Sequence, residues 1–145
     1  MKDKRYMKEA LHEAKLALEA DEVPVGAIIV YKNKIIARSF NKNQQLHNPL
    51  AHAEMLVINE ASRYLKRKDL SDCELYVTLE PCLMCTGAII NAKIKRVIFG
   101  AFDLEKGSII SNEQFESKGI IWIPNILQKE CSQIISNYFE MKRRN

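Results

Sequence analysis

Two short apolar runs, Cys73–Leu79 and Arg96–Ala101, flank a stretch of helical length that opens on Pro81. Runs this short and this rich in Val, Ile, Leu, Tyr and Phe read as buried strands. Proline is favoured in the first turn of a helix, so Cys82 to Ala92 is expected to be helical. The same alternation continues on both sides. Residues 3–20 carry an apolar stripe at Tyr6, Ala10, Leu11, Ala14, Ala17 and Leu18, with Asp3 as a candidate N-cap. Val25 to Tyr31 and Lys34 to Phe40 flank Lys32-Asn33 as a hairpin. An Asn- and Gln-rich loop, Asn41 to Pro49, precedes a helix expected from Ala51 or His52 to about Leu65. The stretch from Phe102 to Gly119 is polar and expected to be loop-rich, with a short strand at Ile120 to Ile123 after it. A last amphipathic helix is expected over 126–141, with Ile126, Leu127, Ile134, Ile135, Tyr138 and Phe139 on its core side. Helices interleaved with buried strands imply an α/β fold of three layers, with the sheet covered on both faces. No repeat or linker divides the chain, so residues 1–145 are expected to form one domain.

Composition narrows the function classes. Apolar residues make up 47% of the chain, which suits a packed interior and excludes a disordered protein. The longest apolar runs are too short to cross a bilayer, and no secretory apolar segment follows Met1-Lys2-Asp3-Lys4-Arg5, so a cytoplasmic location is expected. The net charge of +4 is compatible with nucleic acid without requiring it. Two basic clusters, Lys66-Arg67-Lys68 and Lys142-Arg143-Arg144, read either as solvated helix C-termini or as phosphate contacts.

The four cysteines divide by context. Cys73 and Cys131 lie in apolar segments and are expected in the core. Cys82 and Cys85 form a Cys-x-x-Cys pair at a helix start, which in a reducing compartment points to metal or redox chemistry. Ala51-His52-Ala53-Glu54 also stands at a helix start. Zinc takes imidazole and thiolate ligands. Three protein ligands leave a coordination position for water, whereas a structural site normally has four. His52, Cys82 and Cys85 supply three, with no evident fourth; His12, His47 and Cys73 are the remaining candidates. Helix N-termini favour thiolates. His-x-Glu followed by Pro-Cys-x-x-Cys is the signature of zinc nucleobase deaminases, in which the glutamate is a proton carrier and no ligand. Glu54 is that candidate. Residues two apart on a helix do not face the same way, so this reading requires His52 at the very first turn, pointing back into the site. A redox Cys-x-x-Cys protein and a purely structural zinc module are the competing readings.

Over nearly its whole length the chain resembles the bacterial tRNA-specific adenosine deaminases, a branch of the cytidine deaminase-like superfamily. The matching stretches are Asp21 to Ala27, Ala51 to Glu54, Tyr76 to Cys85, Gly87-Ala88, Arg96 to Ala101 with Asp103, and the last helix with Tyr138-Phe139 and Arg143-Arg144. The resemblance implies a mixed five-stranded sheet between helices, a homodimer, and conversion of adenosine to inosine at the wobble position of a tRNA anticodon loop. It assigns zinc, one Zn2+ per subunit, to His52, Cys82 and Cys85, and proton transfer to Glu54. It also implies that Asn41 hydrogen-bonds the target nucleotide, that Ala53 and the Val23-Pro24-Val25 turn line the base pocket, and that Asp103 lies near a flanking nucleotide. Turn formation by Asn41 and ordinary packing by the valines are the plain alternatives.

The chain departs from the family pattern in its loops. The usual Asp-Pro-Thr before Ala-His-Ala-Glu is Asn48-Pro49-Leu50, the residue before Asp103 is Phe102 where Arg is common, and a loop lysine is replaced by Glu105. An Asn-His pair usual before the last strand is absent from Phe115 to Ile120. A carboxylate facing phosphates is costly, while a stacked Phe could replace an arginine contact to a base. These changes motivate the alternative of a small-molecule deaminase acting on guanine, cytosine or a nucleoside.

Overall fold

The computed structural model describes residues 1–108 and 114–144. In chain order the elements are α1 (Lys2–Glu19), β1 (Gly26–Tyr31), β2 (Lys34–Phe40), α2 (Ala53–Leu65), β3 (Cys73–Leu79), α3 (Leu83–Ala92), β4 (Arg96–Ala101), α4 (Gln114–Ser117), β5 (Ile121–Ile123) and α5 (Gln128–Arg144). The short α4 was not anticipated, and residues 109–113 of the expected loop lie outside the described residues. The five strands form one sheet in the order β2-β1-β3-β4-β5. β1 is antiparallel to both β2 and β3, while β3, β4 and β5 run parallel. The sheet is therefore mixed, as expected. No helix among the described residues is long and apolar enough to cross a membrane.

Strand alternation builds the layers. Successive side chains on a strand face opposite ways. Ile29, Leu75, Val77, Val97 and Phe99 meet α2 and α3 on one face. Ile28, Val30, Tyr76 and Ile98 meet Tyr6, Met7, Ala10 and Cys131 of α1 and α5 on the other. Cys73 and Cys131 are both buried in these cores. The β1–β2 hairpin turns through Lys32 and Asn33, both with positive φ (49° and 62°), as a tight two-residue turn requires. Gly26 is where α1 presses onto the sheet. A Cβ there would stand 2.0 Å from the Ala10 carbonyl oxygen and 2.5 Å from the Ala14 nitrogen, so no other residue fits.

Asp3 is not an N-cap. Met1 holds that position, with no side-chain capping bond, and Asp3 lies inside the first turn of α1. Its carboxylate instead accepts from Tyr76 Oη at 2.7 Å and from the Arg96 guanidinium at 2.8 and 3.2 Å. Burial pushes this carboxyl up, but hydrogen bonds from Arg96 and Tyr76 outweigh it and hold the acid below its ordinary value. A depressed carboxyl contributes stability above its unfolded pKa and loses it as pH falls through the folded value. Asp3→Asn should therefore cost about 2 kcal/mol at neutral pH. The difference from wild type in urea midpoint should shrink to nothing as both are titrated below the ordinary Asp range.

Candidate active site

The site is assembled where extended chain turns into helix. His52 is the N-cap of α2, with extended backbone (φ −74°, ψ 151°). Cys82 is the N-cap of α3 (φ −74°, ψ 176°). α3 starts one residue after the expected Cys82, and α2 one or two residues after the expected Ala51 or His52. That shift meets the geometric requirement: an extended His52 lies outside the helical register, so it and Glu54 can address one point. His52 Nδ1 lies 3.6 Å from Cys82 Sγ and 3.5 Å from Cys85 Sγ. Tetrahedral coordination at ordinary zinc–nitrogen and zinc–sulfur lengths separates such donors by about 3.5 Å. The three side chains are the group among the described residues whose ligand atoms converge in this way. Neither His12, His47 nor Cys73 joins them.

The electrostatics suit a cation. The Cys85 thiol and His52 stabilise the Cys82 thiolate and hold it down to about 4, against the opposing effect of burial. The same hydrogen bond, with burial and the nearby Glu54 carboxylate, pushes Cys85 well above the ordinary thiol range. Hydrogen bonding to Cys82 raises His52. Burial pushes the Glu54 carboxyl up to about 7, against its own backbone N–H and His52. A low thiolate, a second sulfur and an imidazole can serve as a donor set for zinc, and the adjacent buried acid is placed where it could carry a proton.

A cavity of about 270 Å³ opens above this group, and His52, Glu54 and Cys82 contribute to its lining. Val23, Val25 and Asn41 form one wall and Asp103 stands at its mouth. Pro24 and Ala53 are buried and are not among its lining residues. Asn41 has a visible structural task, since its Oδ1 accepts from the Ala53 N–H at 2.8 Å and so satisfies an unpaired donor at the start of α2. That bond commits the oxygen and leaves the amide NH2 as the group a ligand would meet. Asn41→Ala should destabilise the protein by about 1 kcal/mol. Asn41→Asp keeps the acceptor, so it should retain the melting temperature while still losing deamination; equal stability with full activity would remove Asn41 from the substrate contacts.

The loop departures have definite places. Phe102 does not point out to stack on a base. Its ring packs edge-on against Phe99, 5.0 Å between centroids and 81° between planes, beneath the mouth. Glu105 and Lys106 are exposed at the mouth, and the Asp103 carboxylate accepts from both of their N–H groups at 3.1 Å. Phe139 was expected on the core side of α5 but is 46% exposed and lines the cavity with Ile135. Three side chains of the basic clusters have acidic partners: Arg67 pairs with Asp72, Lys142 with Asp21 and Arg144 with Glu140. Two buried acids that anchor loops next to the site carried no expectation. Glu22 accepts from the Gln44 and Gln45 N–H groups at 3.0 and 2.8 Å and holds the loop after Asn41, and Glu80 lines the cavity itself. Their signal in the sequence is an acid at the end of an apolar run, which is too common to single out.

An imidazole and two sulfurs that can hold a metal, set at two helix starts beside a buried acid, match the signature of the zinc deaminases. Residues 1–101 match the cytidine and deoxycytidylate deaminase zinc-binding region, and the chain belongs to this family of zinc-binding deaminases. Within it, the chain belongs with the tRNA-specific adenosine deaminases. That of Aquifex aeolicus (strain VF5) is 45% identical over 145 residues, 97% of this chain and 95% of its own. A solved structure from work on A-to-I editing by tRNA:A34 deaminases at the wobble position of transfer RNA superimposes with a TM-score of 0.85 at 39% identity, covering 90% of this chain and 98% of that one. A guanine deaminase from Nitrosomonas europaea shares the fold, with a TM-score of 0.83 at 24% identity over 93% of this chain and 83% of its own.

Proposed function

We propose that this chain converts adenosine to inosine at the wobble position of a tRNA anticodon loop, releasing ammonia, with His52, Cys82 and Cys85 as zinc ligands and Glu54 as proton carrier. The observation that carries the reading is a buried carboxyl, 4% exposed, beside a convergent imidazole and two sulfurs at the base of a cavity. When bound, zinc supplies the Lewis acidity that makes water nucleophilic at neutral pH. Glu54 takes one proton from the attacking water and delivers it to the ring nitrogen, then carries the second, from the newly attached hydroxyl, to the departing amine; the new C–O bond replaces the C–N bond and ammonia leaves. Asn41 orients the nucleotide through its amide NH2. The cavity is small by the standards of ligand sites and takes one base turned out of its stack, which suits an unpaired loop nucleotide.

The RNA substrate rests on the high identity to the named relatives. We further propose a homodimer acting in the cytoplasm, as the family resemblance of the sequence implies. Leu50 and Leu83 are 54% and 69% exposed beside the two ligand-bearing turns and offer apolar surface to a second copy.

Incubation with an anticodon stem-loop bearing adenosine at the wobble position, and separately with free guanine, cytosine and adenosine, tests the substrate. Inosine in the stem-loop, matched by ammonia, is the expected result. Ammonia from a free base alongside an inert stem-loop would establish the small-molecule alternative instead.

A further inference from the structure

Glu80 joins the end of β3 to the helix start that carries Cys82, and it is buried at 5% exposure. Its Oε1 accepts from the Asp103 N–H at 3.1 Å. The turn that begins there closes through the Gly107 N–H on the Asp103 carbonyl at 2.9 Å. Gly107 then lies directly against the Glu80 carboxylate: a Cβ at this position would stand 2.1 Å from Oε1. Gly107 also bridges to the backbone of Cys82, and the next residue, Ser108, donates from its N–H to the Pro81 carbonyl at 3.2 Å. Ser108 Oγ and Thr86 Oγ1 pair at 2.5 Å. The mouth turn is thus strapped along the segment that holds both sulfurs, and the Glu80 side chain, which holds the start of that turn, also lines the cavity.

We propose that Glu80 is a positioning residue: it fixes the Asp103–Gly107 turn in register with the metal-binding segment, and so sets the mouth through which the substrate strand reaches the centre. A buried carboxylate bound to a backbone N–H is costly to maintain unless the geometry it holds is used. The mouth turn carries three charged side chains that a nucleic-acid strand must pass, so its position bears on binding of the strand more than on the bond-breaking step. The substrate in this inference rests on the function proposed above, whereas the grip of Glu80 on the turn does not.

The test compares Glu80→Ala, Glu80→Gln and Gly107→Ala with wild type as full-length zinc-loaded proteins. Bound zinc, amide hydrogen exchange, and KM and kcat on the stem-loop are measured. Glu80→Ala should keep its zinc and exchange faster at 102–108, with the 53–65 helix unchanged. Its KM should rise about tenfold while kcat stays within about threefold. Glu80→Gln retains an acceptor at Oε1 and should restore both exchange and KM. Gly107→Ala, with Glu80 intact, should loosen the same turn and raise KM likewise. Wild-type exchange and KM in Glu80→Ala would overturn the proposal. So would a Glu80→Gln protein as impaired as the alanine variant, or loss of zinc with faster exchange throughout. Should wild type leave the stem-loop unmodified, the substrate assignment falls, and the exchange comparison alone still decides whether Glu80 holds the turn.

Discussion

Glu54→Gln is expected to lower kcat by about a thousandfold or more, with the bound zinc unchanged. Glutamine has the size and shape of glutamate, so the packing around this nearly inaccessible side chain is preserved. It can donate and accept hydrogen bonds but cannot take a proton from water and pass it on. General acid–base catalysis contributes about a hundredfold to ten-thousandfold, and here one carboxyl handles both the proton removed from water and the proton given to the amine. Removing a buried acid that burial already pushes up to about 7 should not unfold the protein. Measuring zinc by atomic absorption, melting temperature and turnover on the same preparation separates the possibilities. Turnover within tenfold of wild type would remove Glu54 from proton transfer.

The second large effect is expected at the metal ligands. Cys85 is fully buried and its sulfur is 3.5 Å from His52 Nδ1. Cys85→Ala leaves an imidazole and one thiolate, which cannot retain the ion against a chelator. Zinc content and deamination should fall together, to a few per cent or less of wild type. Stability supplies an independent readout. An ion bound only by the folded protein stabilises it by about 2.7 kcal/mol at a hundred times its Kd, so added zinc should raise the wild-type melting temperature and leave that of Cys85→Ala unmoved. Cys131→Ala removes an equally buried sulfur on the other face of the sheet and should keep the full zinc response despite some loss of stability. A zinc-loaded, active Cys85→Ala protein would require a different ligand set.

Local signals were legible and distant pairings were not. β2, β3 and β4 have the bounds expected of them because turn residues, or Pro81 just beyond a strand end, punctuate each run. The two helix starts that hold the metal ligands were readable because Pro49 and Pro81 stand just ahead of them, and the spacing argument that required His52 at the first turn is met by an extended N-cap. Asp3 was misread because its partner, Arg96, is 93 residues away and no local pattern announces it. Phe102 looked like a base-stacking substitute for arginine, but the aromatic Phe99 in β4 offers its ring a drier neighbour. Phe139 follows the apolar stripe of α5, yet the cavity edge, where the sheet gives out, turns it toward the site. Glu22 and Glu80 were invisible as loop anchors because their partners belong to loops 22 or 23 residues away.

The reversal of strand direction between β1 and β3 has a consequence for how such a protein can change its diet. Because the two strands run oppositely, the entry to β1 and the exit from β3 arrive at the same edge of the sheet. Reactive groups and selective groups therefore meet there on separate pieces of chain. In the reading proposed above, the chemistry sits at the two helix starts, while the stretches before Gly26, after Phe40 and after Ala101 supply the cavity-lining Val23, Asn41 and Asp103. None of these stretches contains His52, Cys82 or Cys85, although Asn41 and the Gly107–Ser108 backbone also brace the two helix starts. In a mutational library screened for a new substrate, gains should concentrate in these three connections, and the metal-binding turns should yield none.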